Sequence, residues 1–200
     1  MEWLSDHYIE IFGALTGIIY VVLEIRQSIW LWPLGLLTSG IYVWVFFSTG
    51  FYADMGLQGY YVLISIYGWY WWLRGAKKFD SGTLPVVHIK RKPAAVLLLV
   101  FLFLFAAIWY ILNNYTDSSV PVGDAFTTAL SIVATWMLAR KMIEHWILWV
   151  VADIVSMGLY IYKGLYPTVI LFVVYTVMAV IGYREWRKTL PYPENPDPVS

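Results

Sequence analysis

The sequence predicts an all-α integral membrane protein with seven transmembrane helices arranged as a parallel 3+1+3 pseudo-repeat. Its composition, its seven apolar segments and an internal repeat lead to this prediction. Of 200 residues, 60% are hydrophobic, 19% aromatic and 13% charged, whereas soluble domains average about a quarter charged residues. A single core of this length cannot hide so many Trp, Tyr, Phe and Leu side chains from water. We therefore expect a lipid-facing exterior.

Seven segments are apolar enough to cross a bilayer, which takes about 20 residues, or fewer where polar ends reach the interface. Pro93 and Pro167 stand at the expected first turns of the fourth and seventh segments, and Asp54 and Asp124 are predicted N-caps of the third and fifth. The predicted spans are Tyr8–Leu23, Leu31–Phe47, Leu57–Trp72, Ala94–Leu112, Ala125–Leu138, Trp146–Tyr162 and Pro167–Tyr183.

The basic residues predict how the chain is oriented. With seven spans and an outside N-terminus, all but one of the 13 Lys and Arg residues fall on the inner side, the exception being Lys163. Because cytoplasmic loops retain Lys and Arg, we expect an outside N-terminus and a cytoplasmic C-terminus. The net charge is zero, so no basic face is available for nucleic acid, and the surrounding partner is membrane lipid.

The first three and last three predicted spans share a pattern of residues. Matching pairs are Ala14-Leu-Thr16 with Ala129-Leu-Ser131, Gly40-Ile-Tyr42 with Gly158-Leu-Tyr160, Gly50-Phe-Tyr52 with Gly164-Leu-Tyr166, and Tyr61, Gly68 and Trp72 with Tyr175, Gly182 and Trp186. Because the fourth span is unmatched, both three-helix units run in the same direction. Substrate sites of duplicated transporters lie near mid-membrane, between the repeats.

The repeat divides one predicted transmembrane domain, residues 1–190, into three parts. Repeat one covers about residues 8–74, a linker helix about 93–113, and repeat two about 124–188. Residues 191–200 are polar and Pro-rich, which is typical of a disordered tail.

Asp153 is the most costly residue to place in a membrane, because it lies near the middle of the sixth span. Residues at spacings of three and four share its helix face: Trp146, Trp149, Asp153, Ser156 and Tyr160. A carboxylate among aromatic rings suits an organic cation, through charge pairing and cation–π attraction. The alternative is a protonated or hydrogen-bonded Asp that fixes helix packing.

A second polar and aromatic stripe follows the third span: Gln58, Tyr61, Ser65, Trp69 and Trp72. Gln58 suits a carboxamide or hydroxyl group, and the rings suit a planar heterocycle. The tryptophans are also explained by an aromatic belt at the membrane interface. Further candidates, which helix packing explains equally well, are Thr38, Tyr42, Ser131, Thr135 and Tyr175.

Several ionisable residues lie near span ends or in loops and are predicted to be solvated or interfacial: Glu24, Arg26, Glu144, His7, His88 and His145. The sequence has no cysteine, and it lacks phosphate-loop, metalloprotease and hydrolase motifs. We therefore expect no catalytic residue, no cofactor and no metal. A membrane-embedded enzyme would need a convergent acid, base and nucleophile, and only Asp153 qualifies.

Several runs together resemble the PnuC family of bacterial vitamin transporters between about Gly13 and Trp186. These runs are Trp32-Pro-Leu-Gly, Phe51-Tyr-Ala-Asp-Met-Gly-Leu-Gln58, Ile66-Tyr-Gly-Trp-Tyr-Trp-Trp72, Glu144-His-Trp-Ile-Leu-Trp149, Val150-Val-Ala-Asp153 and Tyr162-Lys-Gly-Leu-Tyr-Pro167. The resemblance implies a SWEET-like 3+1+3 fold, a homotrimer in the bacterial inner membrane, and uptake by facilitated diffusion. It also implies that a cytoplasmic kinase traps the vitamin by phosphorylation.

The resemblance implies nicotinamide riboside, a precursor for NAD biosynthesis, as the first expected substrate. Thiamin is the alternative, since both are cationic planar heterocycles that suit Asp153, whereas neutral riboflavin fits less well. Some nicotinamide riboside carriers that resemble this chain have Asn where it has Asp153, which keeps thiamin open. A proton-coupled symporter of the same substrate is a further alternative, distinguished by whether a collapsed pH gradient abolishes accumulation.

Overall fold

The structure is a computed structural model that describes residues 8–49, 52–77 and 83–191. Its helices are α1 (Tyr8–Ile25), α2 (Leu31–Thr49), α3 (Tyr52–Ala76), α4 (Arg91–Tyr115), α5 (Pro121–Ala139), α6 (His145–Tyr162) and α7 (Tyr166–Lys188). The predicted all-α fold is confirmed, and each predicted span lies inside one helix. His7 and the tail from Tyr192 onward lie outside the described residues.

Five of the described helices, α2 and α4 to α7, are long and apolar enough to cross a membrane on their own. In α1 the apolar stretch is shorter, Phe12–Ile25. Several polar residues of α1 and α3 face a shared interior cavity. Helix α4 has no buried residue, so its apolar side chains lie on the outside of the bundle, where lipid is expected.

The helix starts confirm the predicted prolines and correct the predicted caps. Pro93 and Pro167 lie in the first turns of α4 and α7. Val120, not Asp124, is the N-cap of α5, and α3 already begins at Tyr52, before Asp54. The cap predictions were therefore wrong, although an acidic side chain in a first turn still favours the positive end of the helix dipole.

The internal repeat is visible in the turns that follow α1 and α5. Arg26 N–H donates to Val22 O, and Arg140 N–H donates to Trp136 O in the same way. The next residue in each turn, Gln27 or Lys141, has a left-handed backbone with φ of 53° or 52°. All these pairs are separated by 114 residues. The same hydrogen-bond pattern at this separation establishes the two units as structural equivalents.

Tryptophan packing follows the same separation of 114 residues. Trp32 and Trp72 pack edge to face with ring centroids 5.5 Å apart, and their equivalents Trp146 and Trp186 do so at 5.8 Å. Each pair meets a glycine on the third helix of its own repeat. A side chain at Gly68 would overlap the Trp32 ring, and a Cβ at Gly182 would lie 2.5 Å from Trp146.

Two of the matched pairs in the sequence do not fit this separation: Gly40 with Gly158, 118 residues apart, and Ala14 with Ala129, 115 residues apart. Since the two Trp residues that begin α2 and α6 are equivalent at a separation of 114 residues, Gly40 corresponds to Ile154 and not to Gly158. Gly40 and Gly158 have no neighbouring atom within 4 Å of an added Cβ. Their match reflects how often glycine occurs in membrane helices rather than a shared packing role.

The two repeats contact each other through α1 with α7 and α3 with α5, while α4 packs against α5. The end of the bundle that carries Arg26, Arg140, Lys141 and Lys188 is here called the basic end. Residues before α4 cross this end, where Val87 N–H donates to Lys141 O at 3.0 Å. Glu144 contacts His88 at 2.8 Å, so this segment is tied to the turn between α5 and α6.

The two glycines give a test of the repeat. Gly68→Ala and Gly182→Ala are each expected to lower the free energy of unfolding by about 1–3 kcal/mol, because the added methyl overpacks a tryptophan ring. Gly40→Ala and Gly158→Ala are matched controls, with open space at the added Cβ. Thermal unfolding in detergent measures the difference. Equal melting temperatures for all four variants would contradict the packing described here.

Candidate functional site

A cavity of about 600 Å³ lies between the two repeats. It is bounded by α1, α2 and α3 of repeat one and by α5, α6 and α7 of repeat two. Small-molecule sites commonly have volumes of roughly 300–1,000 Å³, so the cavity has room for a nucleoside-sized ligand. Its floor at the basic end is formed by Glu24 and Trp146, both buried.

Most of the residues predicted from the sequence as binding residues line this cavity. They are Thr38, Gln58, Tyr61, Ser65, Trp146, Trp149, Asp153, Ser156, Tyr160 and Tyr175. The additional candidates Ser131 and Thr135 also line it. Trp69 does not, since its side chain is 37% exposed and it lies one turn beyond Ser65. Trp72 is buried below the cavity, where its Nε1–H donates to Ala139 O at 3.2 Å.

Asp153 faces the cavity from α6 and is 5% exposed. No side chain among the described residues donates a hydrogen bond to its carboxylate or forms an ion pair with it. A carboxylate at this depth is costly without a partner. The cavity therefore offers an acceptor that a ligand or water must satisfy.

Trp149 provides a complementary donor one turn away on α6. Its Nε1–H is buried and has no hydrogen-bond partner among the described residues. Buried polar groups are nearly always paired, and the indole N–H groups of Trp32 and Trp146 are buried without a partner in the same way. The ring edge of Trp149 and the carboxylate of Asp153 both belong to repeat two, so this wall of the cavity carries both a hydrogen-bond donor and an acceptor.

The equivalent positions in repeat one carry small residues. Gly35 corresponds to Trp149 and Ser39 corresponds to Asp153, and both line the same cavity. A Cβ at Gly35 would lie 3.0 Å from the Tyr20 ring and 3.1 Å from Ser65 Oγ. A larger residue there would fill the space opposite Trp149. The symmetric fold thus holds an asymmetric cavity.

Aromatic residues surround the end of the cavity away from the basic end. Tyr160 stacks on Phe172 with ring centroids 5.2 Å apart, and Phe172 packs edge-on against Tyr175 at 5.9 Å. A side chain at Gly17 would overlap the Tyr175 hydroxyl. These contacts bring α1, α6 and α7 together around the cavity. They provide flat apolar walls suited to a planar ring.

Glu24 and His145 were predicted to be solvated or interfacial, whereas both are buried. Glu24 is 2% exposed and His145 is 0% exposed, and Glu24 Oε1 lies 2.9 Å from His145 Nε2. Both lie near helix ends, as the sequence indicated, but the facing repeat covers them. A signal for Glu24 was available, because Gly13, Gly17, Tyr20 and Glu24 recur at spacings of three and four and all line the cavity.

Lys141, predicted to lie in a cytoplasmic loop, is also buried rather than solvated. Its Nζ donates to Gln27 Oε1 at 2.9 Å and lies 4.4 Å from the centre of the Trp72 ring. Burial lowers the pKa of Lys141 from 10.5 to about 8, because a low-dielectric environment disfavours the charged form. The amide and the ring face supply interactions that favour the ammonium group.

Within residues 8–49, 52–77 and 83–191, no three His, Cys, Asp or Glu side chains are grouped so as to hold a metal ion. The polar groups of the cavity are hydroxyls, one amide, two carboxylates and indole N–H groups. These groups bind and orient an organic molecule by hydrogen bonding and stacking.

The family model for the nicotinamide mononucleotide transporter matches residues 7–188. Among curated proteins, the riboflavin/roseoflavin transporter RibM of Streptomyces davaonensis is 27% identical, with 93% of this chain and 92% of that protein covered. The nicotinamide riboside transporter PnuC of Escherichia coli is 23% identical, with 90% and 84% covered. Its Neisseria mucosa counterpart is 26% identical, with 92% and 73% covered.

A crystal structure of the vitamin B3 transporter PnuC has the same fold, with a TM-score of 0.71 and 22% sequence identity. The match covers 93% of this chain and 83% of that one. The seven-helix architecture is thus found in an experimental structure as well as in this chain.

Thiol labelling tests whether the cavity is hydrated, because the chain has no native cysteine. Ser156→Cys, in the cavity wall, is expected to react with a water-soluble methanethiosulfonate at least about tenfold faster than Ile154→Cys, on the exposed outer face of α6. The reactive species is the thiolate, which forms in water but not in lipid. Equal rates for the two cysteines in membranes would contradict a hydrated cavity.

Proposed function

Given that the chain belongs to the nicotinamide mononucleotide transporter family, we propose that it takes up nicotinamide riboside across the membrane. The family consists of multi-pass membrane transporters for vitamins, and the chain is a transporter rather than an enzyme. Family membership does not by itself identify the vitamin, and its identity is what is proposed here. It rests on the chemistry of the cavity together with the activity of the PnuC relatives.

The observation that carries this proposal is the unpaired Asp153 carboxylate beside the unpaired Trp149 N–H. Nicotinamide riboside has a positively charged pyridinium ring, a carboxamide and ribose hydroxyl groups. A positive ring suits a carboxylate and aromatic faces. Its carboxamide and hydroxyls suit Gln58 and the free indole N–H of Trp149, since a polar group in a closed site needs a partner.

Two other vitamins remain candidates, each for a specific reason. Thiamin is also a cationic planar heterocycle and would satisfy Asp153 in the same way. Riboflavin is favoured by the similarity to RibM, which is 27% identical over most of both chains. Riboflavin is neutral and would leave the Asp153 carboxylate without a counter-charge. On this ground we place it second to a cationic substrate.

Transport is proposed to be facilitated diffusion. The two repeats rock about the cavity and expose it to one side and then the other. A proton-coupled symporter is the alternative, since Asp153, Glu24 and His145 are buried at the cavity and its floor and buried acids and histidines form proton relays in transporters. Net uptake would then depend on a cytoplasmic kinase that phosphorylates the vitamin and supplies NAD biosynthesis.

The proposed setting is the bacterial inner membrane, with the basic end in the cytoplasm and the N-terminus outside. The clustering of Arg26, Arg140, Arg187 and Lys188 at one end supports this orientation. A homotrimer is proposed as the functional assembly, with exposed apolar helix faces available both to lipid and to neighbouring copies.

Calorimetric titration of the purified protein with nicotinamide riboside, thiamin and riboflavin tests the substrate. Asp153→Asn is expected to weaken binding of nicotinamide riboside about tenfold or more, because a charged hydrogen-bonding partner is lost. Glu185→Gln, which removes an exposed carboxylate far from the cavity, is the matched control. Riboflavin binding that is tight and indifferent to Asp153→Asn would contradict the cationic substrate in favour of the flavin.

Stacking on Trp149 is tested by a pair of tryptophan substitutions. Trp149→Ala is expected to weaken vitamin binding by about 1 kcal/mol or more, since a ring face next to a cation is lost. Trp69→Ala removes the same side chain from outside the cavity and should leave the affinity unchanged. If both variants bind equally well, Trp149 serves helix packing only.

A further inference from the structure

The floor of the cavity contains a buried acid–base pair that joins the two repeats. Glu24, near the end of α1, contacts His145, the first residue of α6, with 2.9 Å between Oε1 and Nε2. His145 Nδ1 lies 2.6 Å from Met142 O, so Nδ1 carries a proton and donates it to that carbonyl. One proton is shared between Nε2 and the carboxylate, and the pair as a whole is neutral.

Other polar contacts between the repeats cluster at the same end. Lys141 donates to Gln27, its own structural equivalent, at 2.9 Å, which places this contact on the pseudo-symmetry axis. Trp186 Nε1–H donates to Glu24 O at 3.0 Å. Farther from the basic end, Tyr60 Oη–H donates to Ile132 O at 2.7 Å, and Tyr61 forms a hydrogen bond with Ser131. The basic end is therefore the end at which polar contacts close the cavity.

The repeat shows that the fold does not need the acid–base pair. At the separation of 114 residues, Glu24 corresponds to Leu138 and His145 corresponds to Leu31. Both leucines are fully buried in the cluster that contains Trp32 and Trp146. The same architecture thus accepts leucine at the equivalent places of the other half. A polar pair at only one of two equivalent sites points to a role beyond packing.

A polar pair is suited to a contact that must break and reform. Desolvation offsets much of the attraction within a buried ion pair, and both groups regain hydration when the contact opens to water. An apolar contact would instead expose hydrophobic surface on opening. The closed and open states can interconvert only if their free energies differ by a few kcal/mol. A polar pair that regains hydration when the contact opens keeps this difference small.

We propose that Glu24 and His145 form the gate at the basic end of the cavity, with Lys141 and Gln27 as a second contact on the axis. In the structure this gate is closed. Release of substrate through the basic end requires the end of α1 to separate from the start of α6, which breaks the Glu24–His145 contact. The gate residues therefore control access to the cavity from the basic-end face.

Thiol accessibility tests the gate without any vitamin. Thr135 lines the cavity about one turn above the gate and is buried, so Thr135→Cys is the reporter in this cysteine-free chain. A membrane-impermeant thiol reagent is applied to either face of oriented vesicles. Lys188→Cys, at an exposed position on α7, identifies the face that carries the basic end.

Glu24→Leu and His145→Leu are each expected to speed labelling of the reporter from the basic-end face roughly tenfold to a hundredfold, as the loss of a charge-assisted hydrogen bond implies. The double variant should be no faster than the faster single variant, because both remove the same contact. The variants should fold, since leucine occupies the equivalent positions in the other half.

Matched controls come from a second His–Glu contact at the same end. His88 and Glu144 lie 2.8 Å apart but join only the segment before α4 to repeat two. His88→Leu and Glu144→Leu should therefore leave reporter labelling unchanged. Gln27→Asn gives a milder variant. Asparagine tolerates the left-handed backbone at this position, but its side chain is too short to accept the hydrogen bond from Lys141 Nζ. It should speed labelling from the same face by a smaller factor.

The gate is overturned if folded Glu24→Leu, His145→Leu and Gln27→Asn proteins are all labelled from the basic-end face at the parental rate. It is equally overturned if labelling rises alike from both faces or rises alike in the His88→Leu control. None of these outcomes bears on which vitamin is bound, so failure of the gate and failure of the proposed substrate are distinguishable.

Discussion

The exclusion of water from the hydrocarbon core is the constraint on which the rest of this structure depends. Polar side chains within a membrane must face one another or a hydrated space. Here two three-helix units turn polar faces inward and enclose a cavity of about 600 Å³. The apolar side chains left on the outside form the surface that suits lipid. The cavity is thus a direct consequence of placing residues such as Gln58, Glu24 and Asp153 in spanning helices.

Duplication supplies the scaffold, and departures from symmetry supply the chemistry. Trp32 with Trp72 and Trp146 with Trp186 hold both halves in the same way. At the cavity the two halves differ. Gly35 is the repeat equivalent of Trp149, and Ser39 is the repeat equivalent of Asp153. At the basic end Glu24 of repeat one and His145 of repeat two stand where their equivalents in the opposite repeat are Leu138 and Leu31. Ligand chemistry and gating chemistry both lie where the repeats diverge.

Much of the fold could be predicted because hydropathy, the positive-inside pattern and the recurrence of Tyr61, Gly68 and Trp72 are local or periodic signals. Helix spacing of three and four also identified the face that carries Trp149, Asp153 and Ser156. Whether a candidate side chain lines the cavity depends on its depth along the helix axis as well as on the helix face that it occupies. Trp69 shares a stripe with Ser65 but lies beyond the floor of the cavity.

Burial near helix ends was missed because it depends on the opposite repeat, although for Glu24 the spacing with Gly13, Gly17 and Tyr20 was a signal. Glu24 and His145 are near the ends of spans, where most ionisable residues are solvated, yet each is covered by the partner half. The Gly40 and Gly158 match failed for a different reason, since glycine is common in membrane helices and its recurrence alone does not define equivalence. The Trp residues, which fill specific space against Gly68 and Gly182, defined it correctly.

Uptake of radiolabelled nicotinamide riboside into proteoliposomes that contain the purified protein, and no kinase, tests the central claim most directly. The account predicts saturable entry that stops when the internal concentration equals the external one, with or without a pH gradient, and that is lost in Asp153→Asn. Accumulation above the external concentration driven by a pH gradient would contradict facilitated diffusion, and entry of riboflavin but not of nicotinamide riboside would contradict the proposed substrate.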